Sequence, residues 1–195
     1  MELFEAIKSR RSIRRYTSDP VDDKKIEAIL EAGRWAPSWA NTQCWRFIVV
    51  RDPKIRAKIT DTLMKIKLPD REIPNPAATA VNTVPVVIVV CAEMGKSGGK
   101  HGSGDGGGEY ITDKGDWFMF DTALAVQNMV LAAHALGLGT VIIGAFDAVQ
   151  VEKALGVPKG YRVVTLFPVG VPAQEGKATP RKELSEITIR DRWSR

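Results

Sequence analysis

The chain has 195 residues, enough for one domain with a real hydrophobic core, and 28 Lys plus Arg against 23 Asp plus Glu give a net charge of +5. That surplus suits a phosphorylated small molecule; it is too small and too scattered for a nucleic-acid face, which would interleave basic and aromatic residues. The two cysteines, Cys44 and Cys91, lie far apart without metal-ligand spacing, which excludes a secreted disulfide framework and fits a reducing cytoplasm.

Glu2 to Ser9 is a short amphipathic run with Leu3, Phe4 and Ile7 on one helical face, predicted to anchor on a core. With Glu2 and Glu5 and no apolar segment, it does not read as a secretory leader. Arg10 to Tyr16 then places four guanidiniums and a hydroxyl in seven residues. Arginine forks match phosphate bidentately and Ser12 can complete such a cradle. A solvated basic turn fits the same composition. Asp22 is placed to cap a helix whose Ile26, Ile29, Leu30 and Gly33 follow helical spacing, ending near Trp35.

Ala36 to Trp45 has no period and reads as a shaped loop. Its Ser38, Asn41 and Gln43 suit a hydroxyl-rich or heterocyclic ligand, and Ser38 and Asn41 suit turn-forming hydrogen bonds equally well. Phe47 to Val50 reads as a strand, and Asp52-Pro53 opens a helix with Ile55, Ile59 and Leu63 one turn apart. Pro69, Pro74 and Pro76 interrupt the stretch after that helix, leaving a loop with a short helix near Ala77 to Asn82.

Val84 to Ala92 is an unbroken apolar run, the pattern of a central strand buried on both faces. Gly95 to Gly108 holds eight glycines with Lys96, Lys100 and His101, but its spacing fits neither common phosphate loop. It reads as a flexible surface loop, with a lid over a pocket as the alternative. Trp117 to Leu138 is long enough to span a membrane, yet Asp121, Thr122, Gln127, Asn128 and His134 mark it as a buried helix, in the core or at a subunit interface. Gln127 and Asn128 there call for backbone partners, and His134 reads as structural.

Gly137 and Gly139 end that helix and lead into a strand over Thr140 to Ile143. Gly144 and Ala145 come next, just before Asp147 caps a helix running to Leu155. That position offers free N–H groups to a ligand edge. Arg162 to Val169 is the last strand, and the polar tail with Pro180-Arg181-Lys182 needs something outside its own core to fix it.

Arg10-x-Ser12-x-Arg14, Ala36-Pro37-Ser38-x-x-Asn41-x-Gln43-x-Trp45, the helix into Gly137-Leu138-Gly139, the Gly144-Ala145-Phe146-Asp147 turn and Arg181-Lys182 occur in this order. Together they resemble the FMN-dependent nitroreductase family, from about residue 4 to residue 193. The resemblance implies one domain over residues 1–195 of α+β class, a mostly antiparallel central sheet flanked by helices, in an interlocked homodimer with FMN at the subunit interface. Residues 171–195 would be an extension embracing the partner subunit.

By position, Arg10, Arg11 and Ser12 look like FMN phosphate and ribityl contacts, joined by Arg181 and Lys182. Arg14 looks like the cation near flavin N1 and O2. Pro37, Ser38, Asn41 and Gln43 resemble the loop laid on the flavin by the partner chain. Gly144 and Ala145 resemble the turn whose N–H approaches N5. The implied activity is hydride transfer from NADH or NADPH through FMN to a nitroaromatic, quinone or related small acceptor, in ping-pong order. An enone reductase, a dehalogenase, a flavin-consuming enzyme or a non-catalytic FMN sensor would use the same fold. Cys44 departs from the proline common in the family after the loop glutamine, which raises the prospect of a loosened loop or a thiol near the flavin.

Overall fold

The computed structural model describes residues 1–99 and 109–193. Its sheet has four strands, β1 (Trp45–Val50), β4 (Val86–Glu93), β5 (Gly139–Thr140) and β6 (Tyr161–Gly170), in the spatial order β1-β4-β6-β5 with every neighbouring pair antiparallel. A separate two-stranded hairpin joins β2 (Ile66–Lys67) to β3 (Glu72–Ile73). The helices are α1 (Leu3–Ser9), α2 (Asp23–Arg34), α3 (Pro53–Asp61), α4 (Ala77–Thr83), α5 (Phe118–Ala135), α6 (Ala148–Leu155) and α7 (Leu184–Ile187). The expected α+β class and antiparallel sheet are what the chain forms.

β4 lies between β1 and β6, and the alternation of its side chains divides the core in two. Val87, Val89 and Cys91 pack with Ile59, Val81 and Leu166 on the side of α3, α4 and α6. Val86, Ile88 and Val90 pack with Ile29, Met129 and Phe167 on the side of α2 and α5. A strand covered on both faces needs an apolar residue at every position, which is why the valine run is unbroken.

The predicted caps form. Asp22 accepts from the Lys24 N–H, Asp52 from Lys54 and Asp147 from Gln150, and Gly156 takes the left-handed conformation that closes α6. Asn128 Nδ2 donates to the Ala32 carbonyl at 3.1 Å, whereas Gln127, for which the apolar helix suggested a backbone partner, is exposed. Among the described residues, no helix is long and apolar enough to cross a membrane.

Three expectations need correction. The apolar face of α1 does not reach the core: Leu3 is 60% and Phe4 74% exposed, and only Ala6 is buried. Its spacing is that of a buried stripe, but nothing among the described residues covers it. The strand expected over Thr140 to Ile143 is only Gly139–Thr140, because Ile143 makes a single bridge to Leu166 before the chain turns outward. β1 begins at Trp45, two residues before the β-branched run, since its register with Ala92 and Cys91 extends the pairing.

Candidate functional site

Arg10 ends α1 in extended conformation, and the next residues run beside β5, with the Ile13 N–H donating to the Thr140 carbonyl at 2.8 Å. Extended backbone alternates its side chains. Ile13 therefore enters the core while Ser12 and Arg14 are exposed on the other face. Arg11 points to Ile13's side, where its Nη1 donates to the Lys8 and Arg10 carbonyls at 2.7 and 2.8 Å, tying down the end of α1.

On that side lies a cavity of about 760 Å³ lined by Ser9, Arg10, Arg11, His134, Thr140 and Gly176 among others. Burial, with Arg11 and Arg181 nearby, pulls the Arg10 guanidinium below its ordinary pKa, so three cations crowd one place. Arg181 comes from the tail, 170 positions beyond Arg11, and Lys182 beside it is exposed. The arginine stretch is thus neither a single cluster nor a plain basic turn: Arg10 and Arg11 line the cavity with Arg181 near Arg10, and Ser12 and Arg14 are exposed.

Glycine permits the close approach that holds these strands. A Cβ on Gly139 would lie 2.9 Å from Ile13 Cβ, and one on Gly176 would lie 2.1 Å from Arg11 Cβ. Gly139→Ala is expected to destabilise the fold by about 1–3 kcal/mol, as overpacking does. A urea midpoint unchanged from the parent's would show that the two segments part without cost.

Four residues past Thr140, at most about 14 Å along the chain, Gly144 and Ala145 sit exposed at the sheet edge. The Ala145 carbonyl is fixed by the Met64 N–H at 3.0 Å and by Asn75 Nδ2 at 3.3 Å. Among the described residues the N–H groups of Gly144 and Ala145 donate no hydrogen bond, and a Cβ on Gly144 would meet nothing within 4 Å. Two N–H groups thus stand without an acceptor among the described residues, on an exposed backbone held from behind.

The Pro37 to Gln43 segment forms a tight loop in which Ala40, Asn41 and Gln43 all have positive φ, at 45°, 56° and 47°. Three non-glycine residues in that region need a surrounding structure that enforces it. Ser38 Oγ accepts from the Gln43 N–H at 2.9 Å, and Gln43 Nε2 donates to Asn41 Oδ1 at 3.2 Å. These polar groups therefore brace the loop, while Pro37, Asn41 and Gln43 remain exposed.

The main support is Asp121, which is 1% exposed and accepts the Trp39 N–H on both oxygens at 3.1 Å. Ser97 donates to the same carboxylate at 2.5 Å. Sequence reading used Asp121 only against a membrane span and did not single out Ser97. The available signal was a lone carboxylate on a very apolar helix, which must find donors when buried. Cys44 is fully buried, with Sγ 4.0 Å from Asp121, and burial followed by Asp121 and Asp116 pushes its thiol up to about 11. It lies on the interior side of the loop and does not face outward.

Ser97 and Gly98 also receive the return of the glycine-rich segment: Ile111 donates to Gly98 O at 2.9 Å and Trp117 to Ser97 O at 3.1 Å. Gly95 to Gly99 belong to this stem, and Lys100, His101 and the rest to Gly108 lie outside the described residues.

The loop and the arginines occupy opposite ends of α5. Asp121 holds the loop in the first turn, whereas His134 in the last turn meets Ser9 at 2.7 Å. At 1.5 Å per residue these points are about 20 Å apart. One chain therefore brings Arg10, Arg11 and Arg181 to one end, with Ser12, Arg14, Gly144 and Ala145 on the neighbouring exposed faces, and Pro37 to Gln43 to the other end.

The fold is shared with known proteins. A solved nitroreductase family protein from Clostridium novyi NT is 32% identical, with a TM-score of 0.73 over 88% of this chain and 87% of that one. The NADPH:FMN oxidoreductase from Vibrio harveyi, solved with NAD+, has a TM-score of 0.80 at 25% identity, covering 98% of this chain and 78% of that one. A Thermus thermophilus protein named NADH dehydrogenase is 28% identical over 92% of this chain and 91% of its own. With residues 7–171 matching the model of the Nitroreductase family, the chain belongs to that family of oxidoreductases.

Proposed function

We propose that the protein is a homodimeric, FMN-dependent NAD(P)H oxidoreductase that passes electrons to a small nitroaromatic, quinone or related acceptor in ping-pong order. The observation that carries this reading is the crowding of Arg10, Arg11 and Arg181, within a few residues of two free N–H groups on a braced turn. Those residues suit a flavin mononucleotide: fixed cations for a phosphate at one end and fixed donors for a heterocycle edge at the other.

When bound, FMN supplies acceptance of hydride from the nicotinamide and its delivery to the second substrate. The chain supplies the rest. Arg10 and Arg181 bind phosphate, with Lys182 free to join from the exposed tail. Ser12 donates toward the ribityl chain. Arg14 holds positive charge where reduction places negative charge, and the Gly144 and Ala145 N–H groups orient the reacting edge. No protein acid or base is required, which suits a sequence with two histidines.

The 20 Å or so between the two ends of α5 supports a site completed by a second chain. In that arrangement Pro37, Ser38, Asn41 and Gln43 cover the flavin of the partner. The exposed Leu3 and Phe4 of α1 and the exposed Leu184, Ile187 and Trp193 of the tail supply apolar surface for the union. Two buried free cysteines are compatible with a reducing cytoplasm.

The test is an absorbance spectrum of the purified protein before and after anaerobic NADH, then NADPH. Flavin bands that bleach, and recover on addition of menadione or nitrofurazone, are expected. A colourless protein that takes up no added FMN would overturn the reading, and bound flavin that neither nucleotide reduces would make it a sensor.

A further inference from the structure

His134 is unused in the function described so far, yet it lines the same cavity as Arg10 and Arg11. Its Nε2 lies 2.7 Å from Ser9 Oγ, and Ser9 Oγ donates its hydroxyl hydrogen to the Glu5 carbonyl at 2.7 Å. A hydroxyl has one hydrogen to give. Ser9 must therefore accept from His134, which fixes the proton on Nε2 and leaves Nδ1 as the nitrogen that titrates.

We propose that His134, oriented by Ser9, takes up a proton as a phosphate group docks beside Arg10 and Arg11, and so acts as a titratable cation of the phosphate site. This rests on the flavin mononucleotide reading above. The charged groups around the ring are Glu5 on α1, Arg10 and Arg11 after it, Glu175 on the cavity wall, and Lys25 of α2, whose Nζ donates to the Leu136 carbonyl.

The energetics favour coupling. Without ligand, burial and then Arg10 and Arg11 hold the imidazole below its ordinary pKa of 6.5, against an opposing pull from Glu5. The ring is then mostly neutral at pH 7. A dianionic phosphate offsets the field of the arginines, so the bound-state value rises. A group whose pKa rises on binding strengthens binding below the bound value and loses that contribution as pH climbs through it. Flavin mononucleotide should bind more tightly near pH 6 than near pH 8 on account of this residue.

The experiment titrates the flavin-free full chain with FMN and with riboflavin between pH 6 and pH 8.5, for the parent, His134→Gln and Ser9→Ala. The second ionisation of the phosphate monoester, near pH 6, acts on all three alike, so the informative quantity is the ratio of variant to parent Kd. For His134→Gln and FMN that ratio should rise from near one at pH 8.5 to about three- to eightfold at pH 6, on the way to the roughly tenfold limit of a one-unit pKa rise. Ser9→Ala should reproduce part of the effect. With riboflavin, which lacks the phosphate, the ratio should stay flat. Calorimetry in buffers of different ionisation heat should show proton uptake with FMN in the parent and its loss in His134→Gln. A flat FMN ratio, or one that riboflavin reproduces, overturns the proposal and leaves the flavin reading intact; a parent that binds neither ligand overturns both.

Discussion

Replacing Asp121 with alanine is expected to lower the unfolding free energy by about 3 kcal/mol, a drop in Tm of about 6–12 °C for a chain of this size. The carboxylate is 1% exposed and receives the Trp39 N–H and the Ser97 hydroxyl, so truncation leaves both donors buried without their acceptor and opens a void beside Cys44. Removing one partner of a buried charged network costs more than the network's net contribution, because the groups left behind have already lost their water. Asp121→Asn keeps one acceptor but turns a second donor toward the existing ones, and should cost roughly half as much. Melting should be compared at equal protein concentration, since association would raise Tm by mass action. An alanine variant melting within about 2 °C of the parent would show that the carboxylate does not hold the loop.

Arg14→Ala should leave the fold intact and impair the proposed chemistry. Arg14 is exposed and, among the described residues, its side chain makes no hydrogen bond or ion pair. A charge-assisted contact to a ligand is worth about 1.5–3 kcal/mol, or about 10–100-fold in FMN affinity. A cation placed where negative charge develops affects the rate as well, by up to about 10²–10³. Flavin fluorescence quenching would measure the first and stopped-flow bleaching with NADH the second. Arg14→Lys, which keeps charge but loses the planar fork, should fall between. Arg15→Ala, which removes the neighbouring exposed guanidinium, is the control. Equal losses in Arg14→Ala and Arg15→Ala would sink the assignment of Arg14.

Much of this fold was legible where the physical cause is local. An apolar residue at every position from Val86 to Ala92 of β4 means two covered faces, and Asp22, Asp52 and Asp147 announced three helix starts because capping is decided within a few residues. The hairpin of β2 and β3 was not legible, since two-residue strands carry no period to read. The division of Arg10 to Arg14 between two faces depended on the pairing of Ser12 with Thr140, a contact 128 positions away. Asp121 likewise finds Trp39 at a separation of 82 residues, so its role as a support for the loop could not be read from its neighbours. α1 shows the limit from the other side: Leu3, Phe4 and Ile7 follow helical spacing for a buried stripe, yet nothing among the described residues covers them.

The position of α5 also bears on how this chain can change in length. Each residue of a helix advances the next by about 100°. A single insertion or deletion between Asp121 and His134 would swing one of them out of line with its partner, Trp39 or Ser9, while leaving the other in place. Point substitutions on the exposed side of that helix are tolerable, but its count of residues is not negotiable. Changes of length between Gly99 and Tyr110 fall outside this constraint, because Gly98 accepts from Ile111 and Gly99 pairs with Tyr110 on the α5 side of that stretch. The chain can lengthen at that point without altering the register on which both ends of α5 depend.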